Sequence, residues 1–362
     1  MKVGIASPYF GTIGGGERYM FSAAKFFLDK GDQVDIFSGN SVDAKNVSNY
    51  FGLDLKKANF VADVFFGENS NFLRRLLVSA KYDLIFFLSD GSIPTSFAKK
   101  NWLHFQTPFR FSDKKSLINK IKLLRFQKII CNSKFTKSFI DSTYGVNSVV
   151  VYPPVDITSE SQKTIKKNII LATGRFSDPK NLTQHPKKQE VLVKAFCQMV
   201  DNGLKNWELV LSGSSPDVSS YFLKSLQKDA QGYPIRFVIN PKFSDLQKYY
   251  SSAKIFWHAV GFGEDISTNP GKAEHFGITT VEAMAKGAVP IVFAGGGQLE
   301  IITDGENGFL WDSLEKLQEK TLEVMSNDKL RNKISQESIN RAKSFSQEVF
   351  FANLSKLYDE MV

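Results

Sequence analysis

Short, nearly continuous apolar segments alternate along this chain with segments whose apolar residues recur every three or four positions. In the first half, six apolar segments predict strands: KVGIAS, QVDIFS, YDLIFFLS, NWLHF, QKIICN and SVVVYP. Strands that are apolar at almost every position are typical of a parallel sheet buried on both faces. Because helical segments fall between them, we predict a doubly wound α/β domain for residues 1–155.

A polar stretch that begins with two prolines, YPPVDITSESQKTIKKN, interrupts this pattern at residues 152–168. We interpret residues 156–168 as a linker, since prolines and polar residues favour irregular structure. The alternation then restarts, with predicted strands at NIILATG, WELVLSG, IRFVIN and IFWHAV. We therefore predict a second α/β domain over residues 169–343, and a last helix within residues 344–362 that packs back on the first domain.

The composition is that of a globular protein with a large core, since 42% of the 362 residues are hydrophobic and 23% are charged. No apolar run approaches the roughly 18 residues of a membrane span, and MKVGIASPYF is interpreted as a strand rather than a signal peptide. We therefore expect a cytoplasmic protein. Cys131 and Cys197 lie in apolar contexts without metal-ligand spacing, which favours reduced core thiols over a disulfide.

The net charge of +9 raises the question of an anionic partner. No nucleic-acid motif occurs, so we expect no nucleic acid partner. Part of the excess lies in residues 110–137, which we call the basic segment. Against the single acid Asp113, its nine cations are Arg110, Lys114, Lys115, Lys120, Lys122, Arg125, Lys128, Lys134 and Lys137.

Within the basic segment, Leu117, Ile121 and Leu124 recur at helical spacing, and they predict a short amphipathic helix with a basic outer face. Two interpretations stay open. The cations form an ordinary solvated surface, or they dock on an anionic membrane or a phosphate-bearing substrate.

Candidate chemistry is sought in the loops after the strands, because open parallel sheets bind ligands at the carboxyl ends of their strands. Gly14, Gly15 and Gly16 lie where the first strand must turn into a helix near Glu17, and glycines there let backbone N–H groups approach a ligand. The dinucleotide fingerprint G-x-G-x-x-G is absent. A tight turn alone would also explain these glycines.

Two cations frame the first loop of the second domain. In LATGRFSDPKNLTQHPKKQEVLVKAF, Arg175 follows the predicted strand and Lys187 lies where the next helix is predicted to begin. Such a pair suits a diphosphate that no metal neutralises. No Asp-x-Asp occurs to hold a divalent ion on that diphosphate, so we predict no metal and no other cofactor. The alternative is that both cations are solvated loop charges.

The stretch EHFGITTVEAMAKG carries Glu274 and Glu282 on either side of Gly277. If a helix starts near Gly277, Glu274 lies in the preceding loop and Glu282 lies one to two turns into the helix. The helix N-terminus between them can bind an anion, while one glutamate binds sugar hydroxyls and the other a ribose. This arrangement suits a nucleotide sugar. Alternatively, they are a surface glutamate and a helix glutamate that pair with lysines.

Together these motifs resemble those of the family 4, or group 1, retaining glycosyltransferases. The resemblance rests on GRF, KKQEVLVKAF, ELVLSGS, FWHAVGFGED, EHFGITTVEAMAKGAVPIV, AGGGQLEII and ENGFLW, in this order, and on NSKFT followed by VVVYPPVD. It implies the α/β GT-B fold, in which two Rossmann-like domains face a central cleft. WHAVGFG and EHFGI further resemble a subset that includes mannosyltransferases acting on lipid-linked oligosaccharides.

The resemblance also implies roles for individual residues. Glu274, Arg175, Lys187 and His104 match catalytic positions, and the lysine assignment stays open between Lys187 and the adjacent Lys188. FQTP after His104 departs from the usual pattern and leaves a structural role open. The positions that match the donor-binding residues are Gly15, Gly16, Gly213, Phe276, Gly277, Ile278, Thr279 and Glu282. His258 is interpreted as a packing residue and His275 as a loop residue.

The function implied is transfer of a hexose-type sugar from a nucleotide-diphosphate sugar to a glycan or lipid-linked acceptor. Cations and helix amides would stabilise the charge of the departing diphosphate. Retention of configuration is implied by the resemblance alone, since the residues do not distinguish it from inversion. A glycosidase-like carboxylate pair fits less well, because Glu282 lies within the predicted helix. Two further functions stay open: a GT-B epimerase or phosphorylase, and a non-catalytic glycan-binding or lipid-binding module.

Overall fold

A computed structural model describes residues 1–11, 14–39, 41–67, 70–109, 117–157, 164–176, 187–215, 217 and 220–361, without the side chains of residues 49, 117 and 118. The chain divides into two compact units. Unit 1 comprises Met1–Pro154 and Gln347–Val362, and unit 2 comprises Val155–Ser346. Of the predicted linker, residues 158–163 lie outside the described residues, and Lys167 and Asn168 at its end already belong to a strand of unit 2.

Among its described residues, unit 1 contains seven parallel strands. They are β1 (Lys2–Ala6), β2 (Gln33–Phe37), β3 (Asn59–Val61), β4 (Leu84–Leu88), β5 (Lys100–Phe105), β6 (Lys128–Cys131) and β7 (Val149–Val150). Their order in the sheet is β3-β2-β1-β4-β5-β6-β7. The six predicted strands are present, and the three-residue edge strand β3 is additional. It was not predicted because NFV is too short to show a strand pattern.

In the described part of unit 1, six helices connect or cover these strands. They are α1 (Gly15–Asp29), α2 (Ala44–Phe51), α3 (Phe72–Ser79), α4 (Leu117–Leu123), α5 (Lys134–Tyr144) and the last helix of the chain, α13 (Gln347–Asp359). The core of the unit lies between the sheet and these helices. Helix α13 contributes Phe350, Leu354 and Leu357 to that core, where the ring of Phe350 meets the ring of Tyr19 edge-on at 4.9 Å.

Unit 2 contains six parallel strands in the residues that the structure describes. They are β8 (Lys167–Thr173), β9 (Glu208–Gly213), β10 (Ile235–Ile239), β11 (Ala253–His258), β12 (Val289–Phe293) and β13 (Phe309–Trp311). The order β10-β9-β8-β11-β12-β13 repeats the order of the first six strands of unit 1. In both sheets the chain adds strands outward in one direction and then reverses beside its first strand, which is the doubly wound arrangement.

The helices of unit 2 follow its strands. They are α6 (Gln189–Asp201), α7 (Tyr221–Asp229), α8 (Phe243–Ser252), α9 (Ile278–Ala285), α10 (Gln298–Ile301), α11 (Leu314–Ser326) and α12 (Asp328–Ala342). Short 3-10 turns occur at Pro270–Lys272 and Lys343–Phe345. Among the described residues, no helix combines the length and the apolar character that a membrane span requires.

The basic segment differs from its prediction. Arg110, Asp113, Lys114 and Lys115 lie outside the described residues. A helix does form at α4, but Ile121 and Leu124 are 57% and 84% exposed, while Leu123 packs into the core instead. The predicted inward apolar face is therefore wrong for Ile121 and Leu124. Of the predicted outer cations, Lys122 donates to the carbonyl of Ile93 at 3.2 Å.

Other cations of the basic segment are bound within the protein. Lys128 forms an ion pair with Glu360, and Lys137 forms one with Asp141 at 2.6 Å. The segment is thus not one continuous stripe of unengaged charge. Cys131 is buried and Cys197 half-buried, and both are free thiols.

Candidate functional site

The candidate site lies in unit 2, at the point where the strand order reverses. There β8 ends at Thr173 beside β11, which ends at His258. Diverging connections leave a crevice at such a point, and open α/β sheets bind ligands in it. The loops that leave these two strands carry Lys187 and Glu274.

Glu274 is the centre of this site. Its Oε2 accepts a hydrogen bond from the ammonium of Lys187 at 3.0 Å and lies 2.9 Å from Nε2 of His258. The glutamate side chain is 15% exposed, and the ring of His258 is 3% exposed. A carboxylate is therefore held at the carboxyl edge of the sheet between a cation and an imidazole.

Burial lowers the pKa of His258 below its usual value, and the hydrogen bond to Glu274 opposes that shift only in part. The ring is consequently neutral at neutral pH. In that state Nε2–H must be the donor to the Glu274 carboxylate, which leaves Nδ1 as an acceptor. This tautomer fixes the position of the carboxylate without adding a second positive charge.

A small cavity of about 10 Å³ adjoins these groups, and Lys187 and His258 are among its lining residues. Within the described part of the chain, four buried polar atoms on lining residues have no hydrogen-bond partner: Thr173 Oγ1, Gln189 Oε1, Ser212 Oγ and His258 Nδ1. Buried polar atoms normally find a partner, and a cavity of this size with several of them matches the requirements of a bound water molecule.

The loop that carries Glu274 is shaped by glycines. Gly277 adopts φ +117° as the N-cap of α9, a conformation that side-chain-bearing residues rarely adopt. The helix therefore starts at Ile278, as predicted from the sequence. Gly297 allows a close approach, because a Cβ there would lie 2.5 Å from Cα of Phe276, and its N–H donates to the carbonyl of Glu274 at 2.7 Å.

Lys187 and the adjacent Lys188 have different partners. Lys188 takes the left-handed conformation, with φ +57°, and binds Glu264 at 2.6 Å. Glu264 also binds Lys272 at 2.7 Å. Burial alone would raise the pKa of Glu264, but the two lysines hold it below its usual value. Lys188 is thus part of an ion-pair cluster, and Lys187 is the lysine that reaches Glu274.

The second glutamate, Glu282, lies in the second turn of α9. Its Oε2 accepts a hydrogen bond from the hydroxyl of Tyr250 at 2.9 Å. Tyr250 belongs to α8 and is fully buried, so its hydroxyl is a fixed donor. At the start of α9, the N-cap Gly277 provides no side-chain hydrogen bond to the first amide groups of the helix.

Comparison with protein families decides what kind of protein carries this site. The model of the glycosyl transferases group 1 matches residues 156–341, which is more than half of the chain, and the model of glycosyltransferase family 4 matches residues 13–159. The chain is a group 1 glycosyltransferase.

Known relatives agree with this assignment. The GDP-Man:Man(3)GlcNAc(2)-PP-Dol alpha-1,2-mannosyltransferase of Xenopus tropicalis is 28% identical over 201 residues, or 52% of this chain. Those residues are 38% of that enzyme, and its human counterpart is matched over 48% of its length at 27% identity. The aligned residues thus span less than half the length of each of these two mannosyltransferases.

Solved structures show the fold. A glycosyltransferase from Rickettsia africae superimposes with a TM-score of 0.76 at 18% identity, covering 99% of this chain and 98% of that one. The Anabaena protein HepE, solved in complex with UDP, gives a TM-score of 0.74 at 17% identity, covering 99% of this chain and all of that one. The α/β GT-B fold expected from the sequence is confirmed.

The structure also places the other predicted site residues of this glycosyltransferase. Arg175 is exposed two residues after β8, and its carbonyl accepts a hydrogen bond from Nε2 of Gln189 at 3.0 Å. Gly213 ends β9 with its Cα against the carbonyl of Gly174, where a side chain would not fit. The side chain of Phe276 is buried against Phe345, so only its backbone faces the site.

Ile278 and Thr279 form the first turn of α9 and are half-buried. Gly15 and Gly16 form the first turn of α1 in unit 1, so this helix begins two residues earlier than predicted. The side chain of Gln106 occupies the place that a side chain at position 16 would need.

His104 lies in the core of unit 1 and is not exposed at all. Its ring stacks on Tyr19 with centroids 3.8 Å apart, and its Nδ1 lies 3.2 Å from the carbonyl of Ile130. Burial lowers the pKa of His104 to about 3, so the ring is neutral. The catalytic role of His104 stays a prediction, and its burial supports the structural role that the sequence had left open.

Three contacts of the site were missed from the sequence. His258 was interpreted as a packing residue, yet it binds Glu274. Neither the donor Tyr250 nor the support that Gly297 gives to the Glu274 loop was predicted. The available signal for His258 was its place at the end of a central strand, since side chains there face the ligand edge.

Proposed function

We propose that this glycosyltransferase moves a hexose-type sugar from a nucleoside diphosphate sugar to a glycan or lipid-linked acceptor, with retention and without a metal. The observation that carries the proposal is the contact of Glu274 with Lys187 and His258 beside the N-terminus of α9. Support for the donor class comes from the GDP-mannose in the name of the Xenopus relative and from the UDP bound to HepE.

In this proposal Lys187 and the first amides of α9 bind the diphosphate. Cleavage of the bond to the anomeric carbon leaves the electron pair on the diphosphate, so its negative charge grows in the transition state. A lysine ammonium and a helix N-terminus both stabilise that charge. Arg175, exposed at the same edge of the sheet, is assigned to the diphosphate as a second cation.

Glu274 is assigned to the sugar. Its carboxylate can accept hydrogen bonds from sugar hydroxyls and stabilise the positive charge that develops on the ring. His258 and Lys187 determine where that carboxylate lies. Glu282 is assigned to the ribose of the nucleotide, and the hydrogen bond from Tyr250 keeps one of its oxygens fixed while the other can accept from a hydroxyl.

Metal is not required in this proposal, since cations of the protein take its place. In the part of the chain that the structure describes, no three His, Cys, Asp or Glu side chains are grouped so that they could hold a metal ion. That the reaction needs none stays a prediction, which chelation of metal ions would test.

The test is donor turnover across a panel of UDP- and GDP-sugars, with and without a lipid extract as acceptor source. We expect one donor to release nucleoside diphosphate and to label an acceptor. Glu274→Gln should lower kcat/KM by a factor on the order of 100, because it removes the charge that stabilises the developing cation. Glu208→Gln is the matched control: this glutamate also binds a cation, Arg236, but starts β9 at the opposite edge of the sheet.

Each competing function predicts its own outcome. A protein that binds nucleotide sugars but turns none over with any acceptor would be a binding module. Interconversion of sugars without transfer would indicate an epimerase. Full activity of Glu274→Gln would contradict the site assignment itself.

A further inference from the structure

The surface of unit 1 exposes large apolar side chains on three segments that lie far from the candidate site in sequence. On α3 they are Phe72, Leu73 and Leu77, which are 60%, 70% and 70% exposed. Phe97 in the loop before β5 is 51% exposed, and Ile121 and Leu124 at α4 are 57% and 84% exposed. We call these six residues the apolar patch. Apolar side chains grouped on a surface mark an interaction site more often than single ones do.

The three segments adjoin one another. The hydroxyl of Ser79, at the end of α3, accepts a hydrogen bond from the N–H of Phe97 at 2.8 Å. The guanidinium of Arg125, just after α4, lies 5.3 Å from the ring centroid of Phe97 and donates to the carbonyl of Ala98 at 3.3 Å. The loop around Phe97 therefore joins the end of α3 to the end of α4.

Helix α3 is turned with an apolar stripe outward. Leu73 and Leu77 are four residues apart and so share one face of the helix. The opposite side packs inward: Ser79 is fully buried and Val78 packs against the core. Burial of the inner side accounts for the position of the helix, but it does not explain leucines on the outer side.

Exposed cations lie close in sequence to residues of the apolar patch. Arg74 and Lys81 are exposed beside the leucines of α3, and Lys120 and Arg125 are exposed beside Ile121 and Leu124. The sequences of α3 and α4, FLRRLLVS and LINKIKL, contain no acidic residue. Exposed leucine and phenylalanine side chains together with exposed cations on the same segments are the composition of a surface that lies in the interface of an anionic bilayer.

We propose that unit 1 docks on an anionic lipid membrane through the apolar patch, with its leucine, isoleucine and phenylalanine side chains among the acyl chains and its cations at the lipid phosphates. The charge identifies the partner, since a second copy of the chain would bring the same cations to the same surface. The surface belongs to unit 1 alone, so the proposal stands independently of the donor chemistry assigned to unit 2.

Co-sedimentation with vesicles tests the proposal. The full chain should sediment with vesicles of phosphatidylcholine and phosphatidylglycerol at low salt, weakly at high salt, and not with pure phosphatidylcholine. In Leu73→Ser/Leu77→Ser, binding should fall about ten-fold, because two apolar anchors are lost. Each of Arg74→Glu, Lys81→Glu and Lys120→Glu should weaken binding by about five-fold or more.

The matched control is Tyr221→Ser/Lys224→Glu on α7 of unit 2, where an aromatic ring that is 83% exposed also lies near an exposed lysine. This control should bind vesicles like the unchanged protein. Circular dichroism and the thermal midpoint establish that each variant is folded.

Three results would overturn the proposal. One is equal binding to anionic and neutral vesicles, and another is unchanged binding of the folded patch variants. The third is a dimer in analytical ultracentrifugation that Leu73→Ser/Leu77→Ser dissociates, since the patch would then be an interface between copies of the chain. Nucleotide-sugar turnover without vesicles should be unchanged in the patch variants, which separates this test from that of the proposed function.

Discussion

The first six strands of unit 1 and the six strands of unit 2 follow the same order. Each unit also has a buried histidine near the point where that order reverses. His258 lies on a strand at this point, and His104 lies one strand beyond it. In unit 1, His104 on β5 stacks on Tyr19, and its Nδ1 lies 3.2 Å from the backbone carbonyl of Ile130. In unit 2, His258 on β11 binds the carboxylate of Glu274, which also binds Lys187. The same type of residue on equivalent sheets thus stabilises a core in one unit and positions a charged group in the other.

The difference comes from the connection that leaves each strand. After β11 the chain forms a long loop that returns Glu274 to the strand end, and the glycines around it let two loops pack closely. The ring of His104 instead lies beneath α1, whose Tyr19 covers it. Topology therefore locates a potential site, whereas the connecting loops decide whether charged side chains meet there.

The largest loss of activity is expected when Lys187 or Arg175 of unit 2 is replaced. Lys187→Ala should lower kcat/KM by a factor on the order of 100, because it removes a charge-assisted contact to the leaving group. Arg175→Ala should have an effect of similar size. Steady-state kinetics on folded protein measures both. Lys248→Ala, at an exposed lysine paired with Asp245, is the control and should change little. Near-normal activity of both variants would contradict the assignment of Lys187 and Arg175 to the diphosphate.

A smaller effect is expected when His258 is replaced. His258→Phe should lower kcat by roughly ten-fold with little change in KM, since Glu274 loses the donor that positions it. His258→Gln should recover part of that loss, because the amide places an N–H near the position of Nε2. A merely structural role would instead give equal losses in both variants. His104→Phe is the comparison from unit 1 and should keep its turnover per folded molecule.

The two histidines should also shape acid stability. The pKa of His104 is about 3 in the folded chain and near 6.5 when unfolded, so between these values the unfolded chain binds a proton that the folded chain does not. Stability therefore falls as pH drops below 6.5, with a slope of up to about 1.4 kcal/mol per pH unit from this residue. Thermal midpoints across pH should fall less steeply for His104→Phe. If the thermal midpoints of His104→Phe and of the wild type fell equally steeply with pH, this expectation would be wrong.

The smallest effect is expected from metal removal. Transfer should survive EDTA, because Lys187, Arg175 and helix amides take the part of a cation on the diphosphate. The measurement is initial rate before and after chelation, with magnesium and manganese added back. If chelation abolished activity and either metal restored it, the cations of unit 2 would not be sufficient to stabilise the diphosphate.

Most of the fold could be predicted from the sequence, because strands buried on both faces leave continuous apolar runs. Which face of α4 points to the core could not be predicted in the same way. Helical spacing identified Ile121 and Leu124 as one face, but it could not show that this face points to solvent. A three-residue strand such as β3 leaves no periodic pattern at all.

The site was predictable where a residue lies in a motif. Glu274 and the helix start at Gly277 were placed from the stretch that contains both. The contacts of His258 with Glu274 and of Tyr250 with Glu282 join residues 16 and 32 positions apart. Such pairs depend on tertiary packing, which periodicity does not encode. The choice of Lys187 over Lys188 likewise needed the ion pairs that each one forms.

Unit 1 is built from both ends of the chain, and this has a consequence for folding during synthesis. Phe350, Leu354 and Leu357 of α13 belong to the core of unit 1, yet a ribosome makes them after every residue of unit 2. Unit 2 can therefore complete its folding first, while the earlier-made unit waits for the helix that closes its core. A stop codon just after Ser346 would consequently damage the beginning of the chain rather than the neighbouring unit.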